Sequence, residues 1–219
     1  SCAPGRCSTS PRPVPGTSWS SSDGDHRPGR PPRRDAPDAD KADGTDDTIP
    51  GVTSTYLLVL GEREAIVWVL REQRMAFPAT PRAEVARLAK GDQLFLYATR
   101  GAWHNPTRDR GRVIGRATVK SPVTAFDTPL EIAGMSFVSG CALRIDGLAP
   151  YPGGLELAPL VPSLDAFPNP TAWSIYLRRP LLQLSAKDAE RLGQGLDPML
   201  VSRTRALPSY EASLPAHLR

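Results

Sequence analysis

The side chains best suited to chemistry crowd into one stretch. Trp103, His104 and Asn105 stand together in a polar loop, and Arg108, Arg110 and Arg112 follow at alternate positions. An indole ring among guanidinium groups suits stacking on a base and contact with phosphates. The Asn105 amide can read a base edge, and His104 can stack or donate to a phosphate. Arg100 and Arg116 flank the same run. Between residues 100 and 120 there are six cations and a single carboxylate, Asp109, a surplus of five against +4 for the whole chain. The rest of the 219 residues is therefore close to neutral. A localised basic patch is an electrostatic footprint for anions; a solvated surface loop is the plainer alternative.

No motif makes a comparable case for catalysis. His26 and His217 lie near the chain ends, which leaves His104 as the one histidine of the central region. One histidine cannot build a His-rich zinc site. Cys141 sits in an apolar run, where a buried inert thiol is the common state. Asp92, after Gly91 in a turn, is expected to satisfy local backbone donors. There is no Gly-rich phosphate loop, no paired acid–base motif and no βαβ rhythm. The expectation is a non-enzymatic protein with no cofactor and no metal.

Cys2, Cys7 and Cys141 are an odd set that forms no disulfide framework, so a reduced, cytoplasmic protein is expected. No window has the length of a membrane span. Residues 1–52 are rich in Pro, Ser, Asp and Arg. With so little apolar surface, ordering them would cost more entropy than burial returns, so this segment, Trp19 included, reads as a disordered tail.

The elements that must position the basic loop lie in residues 53–194. Tyr56–Leu60 and Ala65–Leu70 are short apolar runs that read as strands, paired in a hairpin across the turn 61–64. Arg82–Ala89 has helical spacing, with Thr80 as a cap and Pro81 in its first turn. Gln93–Ala98 is a third strand. Arg112–Lys120 alternates, with Val113, Gly115, Ala117 and Val119 on one side and Arg112, Ile114, Arg116 and Thr118 on the other. Ser136–Ile145, Trp173–Leu177 and Leu181–Leu184 read as further strands. Ser185 caps a last helix, Ala186–Leu192, with Gly193 at its end. Residues 195–219 read as an irregular extension. Several short strands with two short helices argue an α+β fold whose sheet curls into a small barrel.

The order of these pieces resembles the EVE domain, a relative of the PUA and YTH domains. The matching residues are the strand YLLVL, a helix, the Lys90-Gly91-Asp92 turn, the strand LFLYA ending at Tyr97, a basic loop, and Ile114-Gly115-Arg116-Ala117-Thr118-Val119. Arg179-Pro180-Leu181-Leu182 before a short helix matches the C-terminal segment. The resemblance implies a PUA-like pseudobarrel with flanking short helices and an aromatic pocket for a modified base, such as a methylated one, in DNA or RNA. On that reading Trp68, Phe77 and Trp103 are the candidate cage, with His104 and Asn105 beside them. Arg100, Arg108, Arg110, Arg112 and Arg116 would hold the backbone. The plainer reading of Trp68, as of Trp173, is a core residue. The alternatives are a small-nucleotide or other ligand-binding domain of the same fold, and a protein-interaction module using the basic loop.

Overall fold

Tyr56–Leu60 and Leu94–Ala98 are apolar without alternation because both of their faces are covered. In the computed structural model, which describes residues 53–80, 82–105 and 109–216, β1 (Thr55–Leu60) and β3 (Gln93–Ala98) lie side by side in parallel. Tyr56, Leu58, Leu60, Leu94 and Leu96 enter one core cluster. Leu57, Phe95 and Tyr97 enter a second cluster on the opposite face. The tail 1–52, with its cysteines, His26 and Trp19, lies outside the described residues, as do Pro81, Arg108 and His217.

Among the described residues eight strands form one sheet in the order β2-β6-β4-β3-β1-β8, with β5 added to β6 and β7 to β4. The remaining strands are β2 (Arg74–Phe77), β4 (Arg112–Val119), β5 (Thr124–Ile132), β6 (Met135–Leu148), β7 (Leu155–Glu156) and β8 (Leu181–Leu184). β6 is long enough to serve two sets of partners. Its first part pairs with β2 and β5, and Leu143–Leu148 pairs with β4. This shared strand curls the sheet into an α+β pseudobarrel.

Ala65–Leu70, expected as a strand in a hairpin, belongs instead to helix α1 (Arg63–Glu72). Ile66, Val67, Val69 and Leu70 bury one helical face in the main core, while Trp68 packs on the other side against Ala76, Ile132 and Phe137. A helix covered nearly all round loses its polar stripe, and its β-branched residues then imitate a strand. The crossover from β1 to the parallel β3 therefore runs through α1, β2 and a single turn, α2 (Ala83–Ala86). That crossover is absent from the sequence-based expectation, and α2 is shorter than the span expected for it.

Two further differences lie toward the C-terminus. Trp173–Leu177 is part of a 3-10 segment, Pro170–Arg178, capped by Asn169, whose side chain accepts from the Thr171 N–H at 3.2 Å. The expected irregular extension holds helix α4 (Arg203–Ser213), which buries Ala206 and Tyr210 in the main core. Pro208 within it disguises the helix in the sequence. Other expectations hold. Asp92 is buried and accepts from the N–H groups of Ser54 and Ala89 at 2.9 and 2.8 Å. Ser185 caps α3 (Ala186–Leu196) by accepting from the Asp188 N–H at 3.1 Å.

One irregularity decides where the arginines go. Opposite β3, Leu96 pairs with Gly115 and Tyr97 with Val113, so Ile114 is an extra residue in β4. A bulge of one residue flips every side chain beyond it to the other face. Gly115 permits the close approach of β6 here, since a Cβ would lie 2.7 Å from the Gly147 carbonyl oxygen.

Candidate functional site

The loop after β3 is tied down at several points. Thr99 N–H donates to the Leu60 carbonyl at 3.0 Å, and the first-turn N–H of Arg63 donates to the Ala102 carbonyl at 3.0 Å. Ala102 is fully buried. His104 takes a left-handed backbone conformation, φ 60°, and its Nε2 lies 2.9 Å from a Glu62 carboxylate oxygen. These anchors fix Trp103 between them.

Trp103 meets two tyrosines that the sequence reading did not select. Its ring lies 5.0 Å from that of Tyr151 and 6.4 Å from that of Tyr210, and the two tyrosines are 5.9 Å apart. The 5.0 Å spacing is direct ring–ring contact, so the rings form a continuous wall rather than two plates around a gap. Tyr210 is its fully buried back, and Trp103 and Tyr151 are its half-buried front.

Helix α4 holds this wall. Trp103 Nε1 donates to Ser213 Oγ at 3.1 Å, and the same hydroxyl donates to the Tyr210 carbonyl at 2.6 Å. One turn earlier the arrangement repeats. Tyr151 N–H donates to Ser209 Oγ at 2.9 Å, and Ser209 donates to the Ala206 carbonyl at 2.6 Å. A helical serine bonded back to its own turn keeps a lone pair for an outside donor. Tyr210 Oη donates to the Ala149 carbonyl at 2.7 Å. The helix is seated on α1 by Arg71–Glu211, 2.9 Å, and by Arg203 donating to the Leu70 carbonyl at 3.0 Å.

In front of the wall lies a cleft of about 670 Å³, with Arg63, Arg110, Arg112, Asn105 and Asp109 on its polar sides. Ala98 and Ile114 complete its apolar floor. Arg63 is paired with Glu64 at 3.1 Å and Arg112 with Glu156 at 2.9 Å. Arg112 also donates to the Gly154 carbonyl at 3.3 Å. Gly154 needs its φ of +120°, and a Cβ there would crowd the Val113 carbonyl. Asp109 accepts from the Asn105 N–H at 3.1 Å through one oxygen. Burial raises the pKa of the Tyr151 hydroxyl, the Asp109 charge adds to the rise, and Arg63 opposes it. Burial likewise pushes up the Tyr210 phenol.

Of the expected site residues that are described, the structure gathers Trp103, Asn105, Arg110 and Arg112 in one cleft and places the others elsewhere. Phe77 is buried in β2, beside a separate depression with Val85 and Val138. Trp68 lies on α1 against the Phe137 cluster. Neither lines the cleft, so the expected cage of Trp68, Phe77 and Trp103 is not assembled. His104 is exposed and bound to Glu62. Arg100 is exposed in the turn after β3, outside the cleft lining. Arg116 is on the far face beyond the bulge, 2.9 Å from Asp197 and over the Phe95 ring at 5.6 Å. Cys141 is buried in the main core, where desolvation pushes its thiol up to about 11. Tyr151, Tyr210 and Arg63 are the functional candidates the sequence reading missed. The spacing of Ala206, Tyr210 and Leu214, four residues apart and all buried, was the available signal for the second.

Among the described residues no group of three His, Cys, Asp or Glu side chains could hold a metal ion, and no helix is long and apolar enough to cross a membrane.

No protein-family model matches the sequence, and no curated protein does. Solved structures are similar at low identity. An Mmi1 YTH domain in complex with RNA has a TM-score of 0.45 at 11% identity, covering 67% of this chain and 79% of that one. A protein of Rhodopseudomonas palustris has a TM-score of 0.43 at 14% identity, covering 67% and 95%. A protein of Pseudomonas putida has a TM-score of 0.41 at 11% identity, covering 64% and 97%.

Proposed function

We propose that this chain is a non-enzymatic nucleic-acid-binding domain of the EVE type, which takes an extruded, modified base against the Trp103–Tyr151 wall. The observation that carries this reading is the union, in one cleft, of a half-exposed aromatic face and three arginines. Base–aromatic stacking is worth roughly 1–3 kcal/mol. A methylated base is larger and more apolar, so it gains more from such a face. Unstacking a base costs a few kcal/mol, least where the strand is already single. Guanidinium contacts to the flanking phosphates offset that cost. Arg110 and Arg112 rim the cleft on the strand and loop that lead into it, and Arg63 faces them from the start of α1.

A second reading draws on the size of the cleft. About 670 Å³ is also the size of an ordinary small-molecule site, so a free nucleotide is the competing ligand. Binding of modified and unmodified DNA and RNA oligonucleotides at two salt concentrations separates the two. A polymer ligand gives affinity that falls steeply with salt, prefers the modified base and depends on Trp103. A mononucleotide that binds as tightly as the oligonucleotides, with little response to salt, replaces the first reading by the second. Indifference to both modification and Trp103→Ala removes the aromatic wall from function altogether.

A further inference from the structure

Among the described residues the cleft holds one carboxylate and three arginines, and none of these arginines forms an ion pair with it. Arg63 is committed to Glu64 and Arg112 to Glu156. Among the described residues Arg110 donates to the backbone carbonyl of Asp109, at 3.4 Å, and to no carboxylate. Among the described residues Asp109 has no ion-pair partner. One of its oxygens accepts from the Asn105 N–H, which holds the side chain, and among the described residues the other accepts no hydrogen bond. Asp109 lines the same cleft as Trp103 and Tyr151, the front of the aromatic wall, and its charge adds to the rise that burial gives the Tyr151 hydroxyl.

An ionised carboxylate accepts and cannot donate. Beside a stacking face, it selects for a base edge that presents hydrogens and against one that presents lone pairs. Guanine has two adjacent donors on one edge, N1–H and N2–H, and these match the two oxygens of a carboxylate. Adenine turns the N1 lone pair toward the same position, and uracil flanks its single N3–H with two carbonyl oxygens. Both would meet a negative charge with negative charge.

We propose that Asp109 makes the cleft selective for a guanine-type edge, a base carrying paired N1–H and N2–H donors, with Arg110 left to engage the adjoining phosphate. The inference rests on the base-binding reading above and narrows it. It accommodates a modified guanine only where those two hydrogens are intact, as when a methyl group sits on N7.

The test uses the full chain and single-stranded oligouridines with one central guanosine, inosine or adenosine. Inosine keeps N1–H and lacks the N2 amine. Guanosine should bind about tenfold tighter than inosine, the discrimination expected of one good bidentate pair, and adenosine should be weakest. Asp109→Asn keeps an oxygen for the Asn105 N–H, so the loop is preserved, but it cannot accept from both guanine donors. It should bring guanosine down to the inosine level. If the three oligonucleotides bind alike and still require Trp103, or if Asp109→Asn leaves their order unchanged, the guanine assignment is overturned while the base-binding reading stands. If none binds, or Trp103→Ala has no effect on any of them, both are overturned. The inosine comparison needs no variant, so an unstable protein cannot blur the result.

Discussion

The two faces of the sheet carry similar materials and do different things with them. On one face Trp103, Tyr151 and Tyr210 make a cluster of three rings with arginines nearby. On the other, Phe167, Trp173 and Tyr176 make a second cluster, with ring centroids 5.9 and 6.1 Å apart, and Arg116 lies over Phe95. The first cluster opens on the cleft of about 670 Å³ with its polar rim. The second packs edge to face beneath a 3-10 segment and belongs to the core around Leu57 and Phe95. Aromatic and basic residues are thus not enough to make an open cleft. What distinguishes the faces is whether the rings leave space in front and whether a guanidinium there keeps donors to spare.

The comparison is broken most severely by removing a ring from the back of each cluster. Tyr210→Ala and Phe167→Ala each delete a fully buried ring and should cost about 3–5 kcal/mol in urea unfolding. Only the first should also lower oligonucleotide affinity per folded molecule. Equal losses of affinity in both variants would show that the faces are not functionally distinct.

Alkaline titration comes next. Burial pushes the Tyr97 phenol from 10.0 up to about 12. Below pH 10 both folded and unfolded chains keep this proton, and stability is intact. Between about pH 10 and 12 the unfolded chain releases it and the folded chain does not, so stability falls, by about 2–3 kcal/mol from this group. Urea midpoints measured across that interval should decline, and Tyr97→Phe should remove part of the decline.

Trp103→Ala should weaken oligonucleotide binding by about 1–3 kcal/mol, whereas Trp173→Ala, its counterpart on the other face, should leave affinity within error. A smaller effect separates the arginines. Arg110→Ala should flatten the dependence of log affinity on log salt by about 0.7, the share of one single-strand phosphate; a slope that stays put would take Arg110 off the backbone. Arg116→Ala, already paired with Asp197, should leave the slope unchanged. Smallest is Ser213→Ala. It removes the acceptor for Trp103 Nε1 and should cost about 1 kcal/mol of stability, with a change in tryptophan fluorescence reporting the reorientation of the ring.

Much of this molecule is legible along the chain. The strands YLLVL and LFLYA, the Asp92 turn, the Ser185 cap and the concentration of chemistry around Trp103 all follow from local pattern, because each depends on neighbours a few residues away. The errors share a cause. Ala65–Leu70 reads as a strand because α1 is covered on two sides, and periodicity is visible only where one side meets water. α4 is hidden by Pro208, whose cost in the helix is met by the burial of Ala206 and Tyr210 in a core built elsewhere.

By itself, then, the sequence determined the basic loop, its lone central histidine, the indole at its centre and a sheet able to present them, since composition and local spacing suffice for these. Only the tertiary structure decided which aromatics stand with Trp103. Tyr151 and Tyr210 are 48 and 107 residues away, and they arrive through β6 and α4. It also decided which arginines share the cleft. Arg112 and Arg116 alternate identically in the sequence, and the single extra residue at Ile114 sends them to opposite faces. Long-range packing and register set those outcomes; the spacing of Ala206, Tyr210 and Leu214 marks a buried helical face and not the partner it meets.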